Sequence, residues 1–440
     1  MTTQEPEYKA PVQIPQKAGW GAWAMVVVLT LAYTVSFIDR QVLNLLVEPL
    51  KAEFDLSDTR LSLLQGLAFT SAYIVFSPIF GRMSDTSNRR NIVLGGVAVW
   101  SIFTALCGLA RNYWQMFGAR VGVGAAEASL TPAAWSMIAD RFPPHLLPRA
   151  MSILLMGPYI GGGLALIFGG LLLEFAENNS FGSLDAWQVV FIAAAVPGVL
   201  ICAILLLIRE PARSADKDGA EEAAMPLAEV WRGFRARGKF YFNFYAGMSG
   251  IVIALYAFPA WMPAVLMRKF GAEAASVGLH YGTLVLIGGS LGVLAGPTLG
   301  RLLEKKGLKG SLMVVPLIGA SAIFLLSIGL ALAGSYEAGL VFGGLASFAY
   351  SLPMAAASGA LQIVTPNRMR GMASAIYVFI VSVIGLGAAP TIVALITDLV
   401  IGDEARVDQS LAITCAGAAL VSLFLLVRAR RAYIDLAAND

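Results

Sequence analysis

Four ionisable side chains interrupt runs that are otherwise apolar: Asp39 and Arg40 in the stretch 20–48, Arg120 and Glu127 in the stretch 115–139. At bilayer depth such a group costs at least about 2.5 kcal/mol unless it faces a cavity or a partner. Arg120 and Glu127 are spaced to share one helix face two turns apart, whereas the adjacent Asp39 and Arg40 point about 100° apart on a helix. The expected arrangement pairs Asp39 with Arg120 and leaves Arg40 and Glu127 toward a cleft. Burial favours the neutral carboxyl and a nearby arginine favours the carboxylate, so a change in access to water would load or release a proton. An arginine, always charged, suits a fixed receptor for phosphate or carboxylate. Asp39 and Glu127 are therefore candidates for proton coupling, Arg40 and Arg120 for binding the anionic head of a substrate. The plainer alternative is a set of permanent ion pairs that orient two helices.

The elements that must position these groups follow from composition. The chain has 440 residues, 58% hydrophobic and 13% charged, with a mean hydropathy of +0.72, against about 25% charged for a soluble domain. That excludes an ordinary soluble enzyme. A net charge of +3 argues for no nucleic-acid partner, and Cys107, Cys202 and Cys415 lie apart in apolar runs, which excludes a disulfide framework. Apolar runs of about membrane-spanning length occur at 20–48, 60–81, 91–110, 115–139, 149–173, 187–208, 241–267, 277–300, 311–333, 338–363, 371–398 and 409–427. The expectation is an all-α membrane protein of twelve transmembrane helices. Its parts are a tail 1–18, a six-helix bundle 19–208, a linker 209–239, a six-helix bundle 240–428 and a tail 429–440. The first run is too long for a signal-peptide core and has no cleavage pattern after it, so it is expected to be retained. One set of loops holds only Lys51, Arg60, Arg111, Arg268, Lys269 and Arg406; nearly all other basic residues fall on the opposite side. The positive-inside rule then puts both termini in the cytoplasm of a multi-pass cell-membrane protein, the inner membrane if bacterial.

The chain also repeats. Pro78-Ile79-Phe80-Gly81-Arg82-Met83-Ser84-Asp85 after the second run returns as Pro297-Thr298-Leu299-Gly300-Arg301-Leu302-Leu303-Glu304 after the eighth. Arg149-Ala150-Met151-Ser152 and Arg370-Gly371-Met372-Ala373 open the fifth and eleventh at nearly the same offset. Parallel repeats of this kind imply two six-helix halves around a central cleft, a site near mid-membrane and alternating access by rocking.

Gly81-Arg82-Met83-Ser84-Asp85-Thr86-Ser87-Asn88-Arg89-Arg90 resembles the loop 2–3 signature of the major facilitator superfamily, departing from it at Thr86 and Asn88. Arg120-Val121-Gly122-Val123-Gly124 resembles the family's span-four signature, and Gly157-Pro158-Tyr159-Ile160-Gly161-Gly162 its span-five motif. Phe37-Ile38-Asp39-Arg40-Gln41-Val42-Leu43-Asn44 with Leu61-Ser62-Leu63-Leu64-Gln65-Gly66 is similar to the spinster branch. That resemblance implies movement of sphingosine phosphate or lysophospholipids.

The second half holds no charge deep in its runs but carries Phe244, Tyr256, Tyr350 and Tyr377. One wall of the cleft is then charged and the other apolar and aromatic, the shape an amphipathic, anionic-headed lipid would select. Asp85 is placed to face the start of the eleventh run at Arg370, gaining from the helix dipole and closing that side. Arg89 and Arg90 are gate partners or topology anchors. Gly157, Pro158, Gly161 and Gly162 read as a close-packing face, matched by Gly288, Gly289 and Gly292. The segment 227–240, with Trp231, Phe234, Arg232, Arg235 and Arg237, is either a solvated tether or a short helix on the membrane surface. His145 and His280 are too far apart to make a metal site.

The leading expectation is a proton-coupled secondary transporter of an amphipathic lipid, acting as a monomer with no cofactor beyond the proton gradient. A proton-coupled carrier of small organic anions or drugs is the first alternative and a passive lipid scramblase the second. No Gly-x-Ser-x-Gly, His-Glu-x-x-His or Walker A pattern is present, so a membrane enzyme and an ATP-driven pump are not expected.

Overall fold

The computed structural model describes residues 19–143, 146–211, 227–366 and 369–437. The expected tail 1–18, His145, the linker segment 212–226 and residues 438–440 lie outside the described residues. Within them the chain is a succession of apolar helices, as the hydrophobic runs require: with no water in hydrocarbon, each backbone polar group must be satisfied within its own helix.

Span one is Trp20–Gln41, continued by a tight turn Val42–Asn44. A short helix, Val47–Phe54, leads to span two, built from Asp58–Gln65 and Leu67–Thr86 with a break at Gly66. Span three is Arg89–Gly108, span four Tyr113–Glu127 followed by Leu130–Arg141, span five Leu147–Glu177 and span six Ala186–Leu207. After the linker helix Leu227–Ala236 come span seven, Gly238–Phe270, span eight, Ala274–Lys305, span nine, Ser311–Ala331, and span ten, Tyr336–Val364. Span eleven runs from Arg370 to Ile401, with wide-turn segments at Val381–Ala388 and Ile396–Ile401, and span twelve is Val407–Ala437.

Eleven of these helices are each long and apolar enough to cross a membrane. The remaining expected run, the fourth at 115–139, is helical but divided at Ala128-Ser129, so neither piece reaches spanning length by itself. The division falls directly after Glu127, the charge that this span must accommodate. Asn88, which departs from the family signature, caps span three: its Oδ1 accepts from Asn91 N at 2.9 Å, a use of asparagine common at helix starts.

Glycines set the closest approaches. A Cβ on Gly157 would lie 3.1 Å from Thr30 O, and one on Gly161 would overlap Thr34 O, so both pack on span one. Gly163 and Gly170 instead face Gly282, Leu286 and Ala275 of span eight, across the two halves. Span five therefore has two glycine faces. This corrects the expected partner set on span eight: Gly289 does meet Tyr159, but Gly288 and Gly292 turn to Ser347, Phe348 and Ser351 of span ten. The face of span eight that meets span five is Gly278 and Gly282.

Candidate functional site

The four intramembrane charges converge. Span one carries Asp39 and Arg40 at its last turn, and span four brings Arg120 and Glu127 beside them; relative exposures are 0%, 9%, 1% and 1%. The pairing differs from the one expected from helix phase. Arg40 Nε and Nη2 reach Glu127 Oε2 at 2.6 and 2.5 Å. Arg120 meets main chain instead, donating from Nη1 to Asp39 O at 3.1 Å and from Nε to Leu64 O at 3.4 Å. Asp39 Oδ2 accepts from Thr104 Oγ1 of span three at 3.1 Å. No Asp39–Arg120 ion pair occurs among the described residues. Asp39 and Arg40 both lie in the regular helix Trp20–Gln41, so they diverge as expected, but it is Arg40 that faces Glu127 of span four and Asp39 that faces span three.

Arg40 sits in a ring of aromatic faces. Its guanidinium carbon lies 4.6 Å from the Phe37 ring centroid, 4.4 Å from Phe69 and 5.3 Å from Tyr73. Cation–π contacts of this kind offset part of the cost of dehydrating the cation. Four buried polar atoms around the cluster nonetheless have no hydrogen-bond partner: Asp39 Oδ1, Gln65 Oε1, Arg120 Nη2 and Glu127 Oε1. Gln65 and Arg120 both line a cavity of about 20 Å³ with Arg40, Gln41, Asn44 and Tyr256, a volume with room for about one water.

That cavity lies where the halves touch. Gln65 Nε2 donates to Asn44 Oδ1 at 3.1 Å and to Ala260 O of span seven at 3.2 Å. Span two closes on span eleven at Gly66, where a Cβ would come within 2.7 Å of Gly387 O. Wide helical turns such as Val381–Ala388 are often found at functional positions; here they face Gly66 and Tyr256.

Of the expected aromatic residues, Tyr256 alone reaches this cavity. Tyr377 is 9% exposed, with its ring 5.8 Å from Phe244. Phe244 is fully buried and stacks on Phe240 at 5.3 Å, while Tyr350 packs near Phe258 at 6.3 Å. Sequence reasoning missed Phe37, Phe69, Tyr73 and Thr104 as partners of the charges, and Asn44 and Gln65 as lining of the cavity beside them. Phe37, Asn44 and Gln65 stand inside the two motifs already noted, so that signal was present.

The gate is asymmetric. At the end carrying Asp58, ion pairs join the halves. Arg268 of span seven donates bidentately to Asp58, from Nη1 at 2.7 Å and Nη2 at 2.8 Å, and from Nε to Glu48 at 2.6 Å. Lys51 bridges Asp58 and Glu404 at 2.6 and 2.5 Å, and Asp398 accepts from Thr59 N and Oγ1 at 2.8 and 2.6 Å. Asp58, Asp398 and Glu404 lie near enough for metal ligation, but Asp58 and Glu404 are already engaged by Lys51, and Asp58 also by Arg268. At the other end Asp85 is exposed. Arg370 Nε donates to Gln362 O and Thr365 O of its own half at 2.9 and 3.2 Å, so the expected Asp85–Arg370 approach is not made. Arg89 is 1% exposed and bonds Ser136, Asp140, Glu210 Oε1 at 2.7 Å and Pro211 O at 2.8 Å, all in the first half and its exit. Arg90 contributes its main-chain N–H to Glu210 at 2.8 Å. Both arginines tie the first half together rather than bridging to the second. Among the described residues, ion pairs join the halves at the Asp58 end and none joins them at the Asp85 end, where they are parted.

Residues 29–390 match the family model described as Major Facilitator Superfamily. An "MFS-type efflux pump" of Mycolicibacterium smegmatis is 30% identical over 284 residues, 64% of this chain and 63% of that protein. This chain thus aligns with less than two thirds of that relative's length. "Protein spinster homolog 1" of Homo sapiens is 26% identical over 396 residues, 85% of this chain and 72% of that one. Among solved structures, a bacterial homolog of the human lysosomal transporter Spinster, in an inward-facing and unoccupied conformation, superposes with a TM-score of 0.79 at 24% identity. That superposition covers 96% of this chain and 98% of the other. A D-xylose–proton symporter superposes with a TM-score of 0.67 at 17% identity, covering 91% of this chain and 96% of that one.

Proposed function

Because the chain belongs to the Major Facilitator Superfamily, as a spinster-like member, we propose that it is a proton-coupled secondary transporter of an amphipathic, anionic-headed lipid such as a lysophospholipid. The Arg40–Glu127 pair carries this reading. Arg40 is the natural receptor for an anionic head, yet in this state its guanidinium is occupied by Glu127. A proton on Glu127 removes the competing carboxylate, and the cluster Asp39, Arg40, Arg120 and Glu127 passes from neutral to singly positive. The proton and the anion then favour each other's binding, which is the coupling a symporter needs. Arg120 Nη2 and Gln65 Oε1, buried without partners, supply further polar contacts, and Tyr256 marks where the apolar wall of the second half begins.

The chain sits in the bilayer as a monomer, with both termini and the Asp85 loop on the cytoplasmic side and no cofactor beyond the proton gradient. On that orientation the observed state is inward-facing, with the Asp58 lock on the outside. Closing the Asp85 end and breaking the lock would present the same four charges to the opposite side.

The test is uptake by purified protein in phosphatidylcholine vesicles, comparing lysophosphatidylglycerol and lysophosphatidylcholine with small carboxylates, with and without an imposed pH gradient. Gradient-driven accumulation of the lysolipids, lost in Glu127→Gln, is expected. Preference for the carboxylates would transfer the assignment to a small organic-anion or drug carrier. Equilibration with no accumulation and no response to Glu127→Gln would make the protein a passive scramblase.

A further inference from the structure

The linker helix Leu227–Ala236 ends one residue before span seven begins at Gly238. Chain continuity alone holds it at the boundary of the bilayer. Its two faces differ. On one, Phe234 is 8% exposed with its ring 4.6 Å from Tyr241, and a Cβ on Gly233 would lie 2.5 Å from Met369 Sδ. On the other, Trp231 is 67% exposed, with Arg235 one turn further and Arg232 beside it, both exposed; Glu229 is the exposed acid of the same helix. Tryptophan at this exposure beside two arginines is the composition that settles at headgroup level, where the indole ring reaches the acyl boundary and the guanidinium groups meet phosphate.

The buried face leads directly to the turn between spans ten and eleven. Tyr241 donates its hydroxyl to Thr365 Oγ1 at 3.0 Å. Met369, 2% exposed, precedes Arg370, which holds the carbonyls of Gln362 and Thr365. That turn belongs to the end at which the halves are parted. We propose that the linker helix is a membrane-surface sensor that binds anionic phospholipid headgroups through Trp231, Arg232 and Arg235, and that this binding holds the span ten–eleven turn and so biases opening at the Asp85 end. The lipid is a modulator in the surrounding leaflet, and the inference stands whatever the transported substrate.

The full chain is reconstituted in phosphatidylcholine vesicles with and without phosphatidylglycerol, some carrying brominated acyl chains. The chain has 8 tryptophans, so the difference in emission between wild type and Trp231→Phe isolates one indole. Brominated chains are expected to quench that difference signal, more strongly with phosphatidylglycerol. Met372, exposed beside Arg370, is replaced by cysteine in a Cys202→Ala background, and its maleimide reaction rate reports the span ten–eleven turn. Phosphatidylglycerol is expected to change that rate several-fold in otherwise native protein, and high salt or the Arg232→Gln/Arg235→Gln pair to remove most of the change. An indole quenched by aqueous iodide but not by brominated chains overturns the proposal, as does a phosphatidylglycerol effect that survives the double substitution. Both arginines are exposed, so their loss leaves folding intact.

Discussion

The two six-helix halves solve opposite problems with the same topology. The first buries two carboxylates and two guanidinium groups inside its bundle and surrounds them with Phe37, Phe69, Tyr73 and Thr104. The second buries aromatic rings such as Phe240, Phe244, Phe258 and Tyr350 in plain packing, and supplies charge to the lock only at its Asp58 end, through Arg268, Asp398 and Glu404. Buried charges are sensitive to their partners, whereas packed rings tolerate modest change. Substitutions in the first half should therefore alter mechanism, and those in the second should alter affinity or stability by small steps.

The largest expected effect tests the charged half. Arg40→Ala leaves Glu127 without its cation; removing one partner of a buried pair costs about 3–5 kcal/mol. Thermal unfolding in detergent should fall sharply and gradient-driven uptake should vanish. Arg40→Lys should restore little transport, because an ammonium cannot lie flat among three rings or engage Glu127 from two nitrogens. Full activity in Arg40→Lys would mean that any positive charge suffices.

Next is the lock. Asp58 accepts from both Arg268 and Lys51, and hydrogen bonds to charged groups contribute about 1.5–3 kcal/mol each. Arg268→Ala should raise the population open at the Asp58 end by at least about tenfold, since 1.4 kcal/mol is one factor of ten. Distances between spin labels at Glu53 and Asp403, both exposed, report this; an unchanged distribution would reduce the ion pairs to decoration.

A smaller effect separates neighbouring glycines. Gly161→Ala places a Cβ against Thr34 main chain and should cost about 1–3 kcal/mol of stability by overpacking. Gly162→Ala meets nothing nearer than 3.9 Å and should be close to neutral. Gly162 thus does not belong to the close-packing face expected of it, and equal melting temperatures would remove the packing role from Gly161 as well.

The smallest effect belongs to the second half. Tyr350→Phe keeps the ring and removes only the hydroxyl, so transport should stay within about threefold of wild type, given that aromatic contacts contribute about 0.5–1.5 kcal/mol. A loss as deep as that of Arg40→Ala would erase the contrast between the halves.

The sequence made the spans, the repeat, the division into two halves and the four charges legible, because hydrocarbon burial is written residue by residue in apolar runs and their rare exceptions. Helix phase misassigned the partners of those charges. It sets the angle between Asp39 and Arg40, both inside the helix Trp20–Gln41, but not which of them the packing turns toward span four. Nor did phase foresee that Arg89 would turn inward to Asp140 and Glu210, or that Asp85 would form no ion pair among the described residues while Asp58 closed the other end.

What the chain determined by itself is therefore its place in a membrane, its twofold construction and which half carries charge, since each rests on local hydrophobicity and on motifs readable along one strand of sequence. Only the tertiary structure decided which carboxylate meets which arginine, which glycine faces which helix, and which end of the cleft is shut. Those depend on contacts between residues far apart in the chain, from Arg40 with Glu127 to Thr59 with Asp398 and Asp58 with Arg268, and a transporter holds at least two such sets with one sequence.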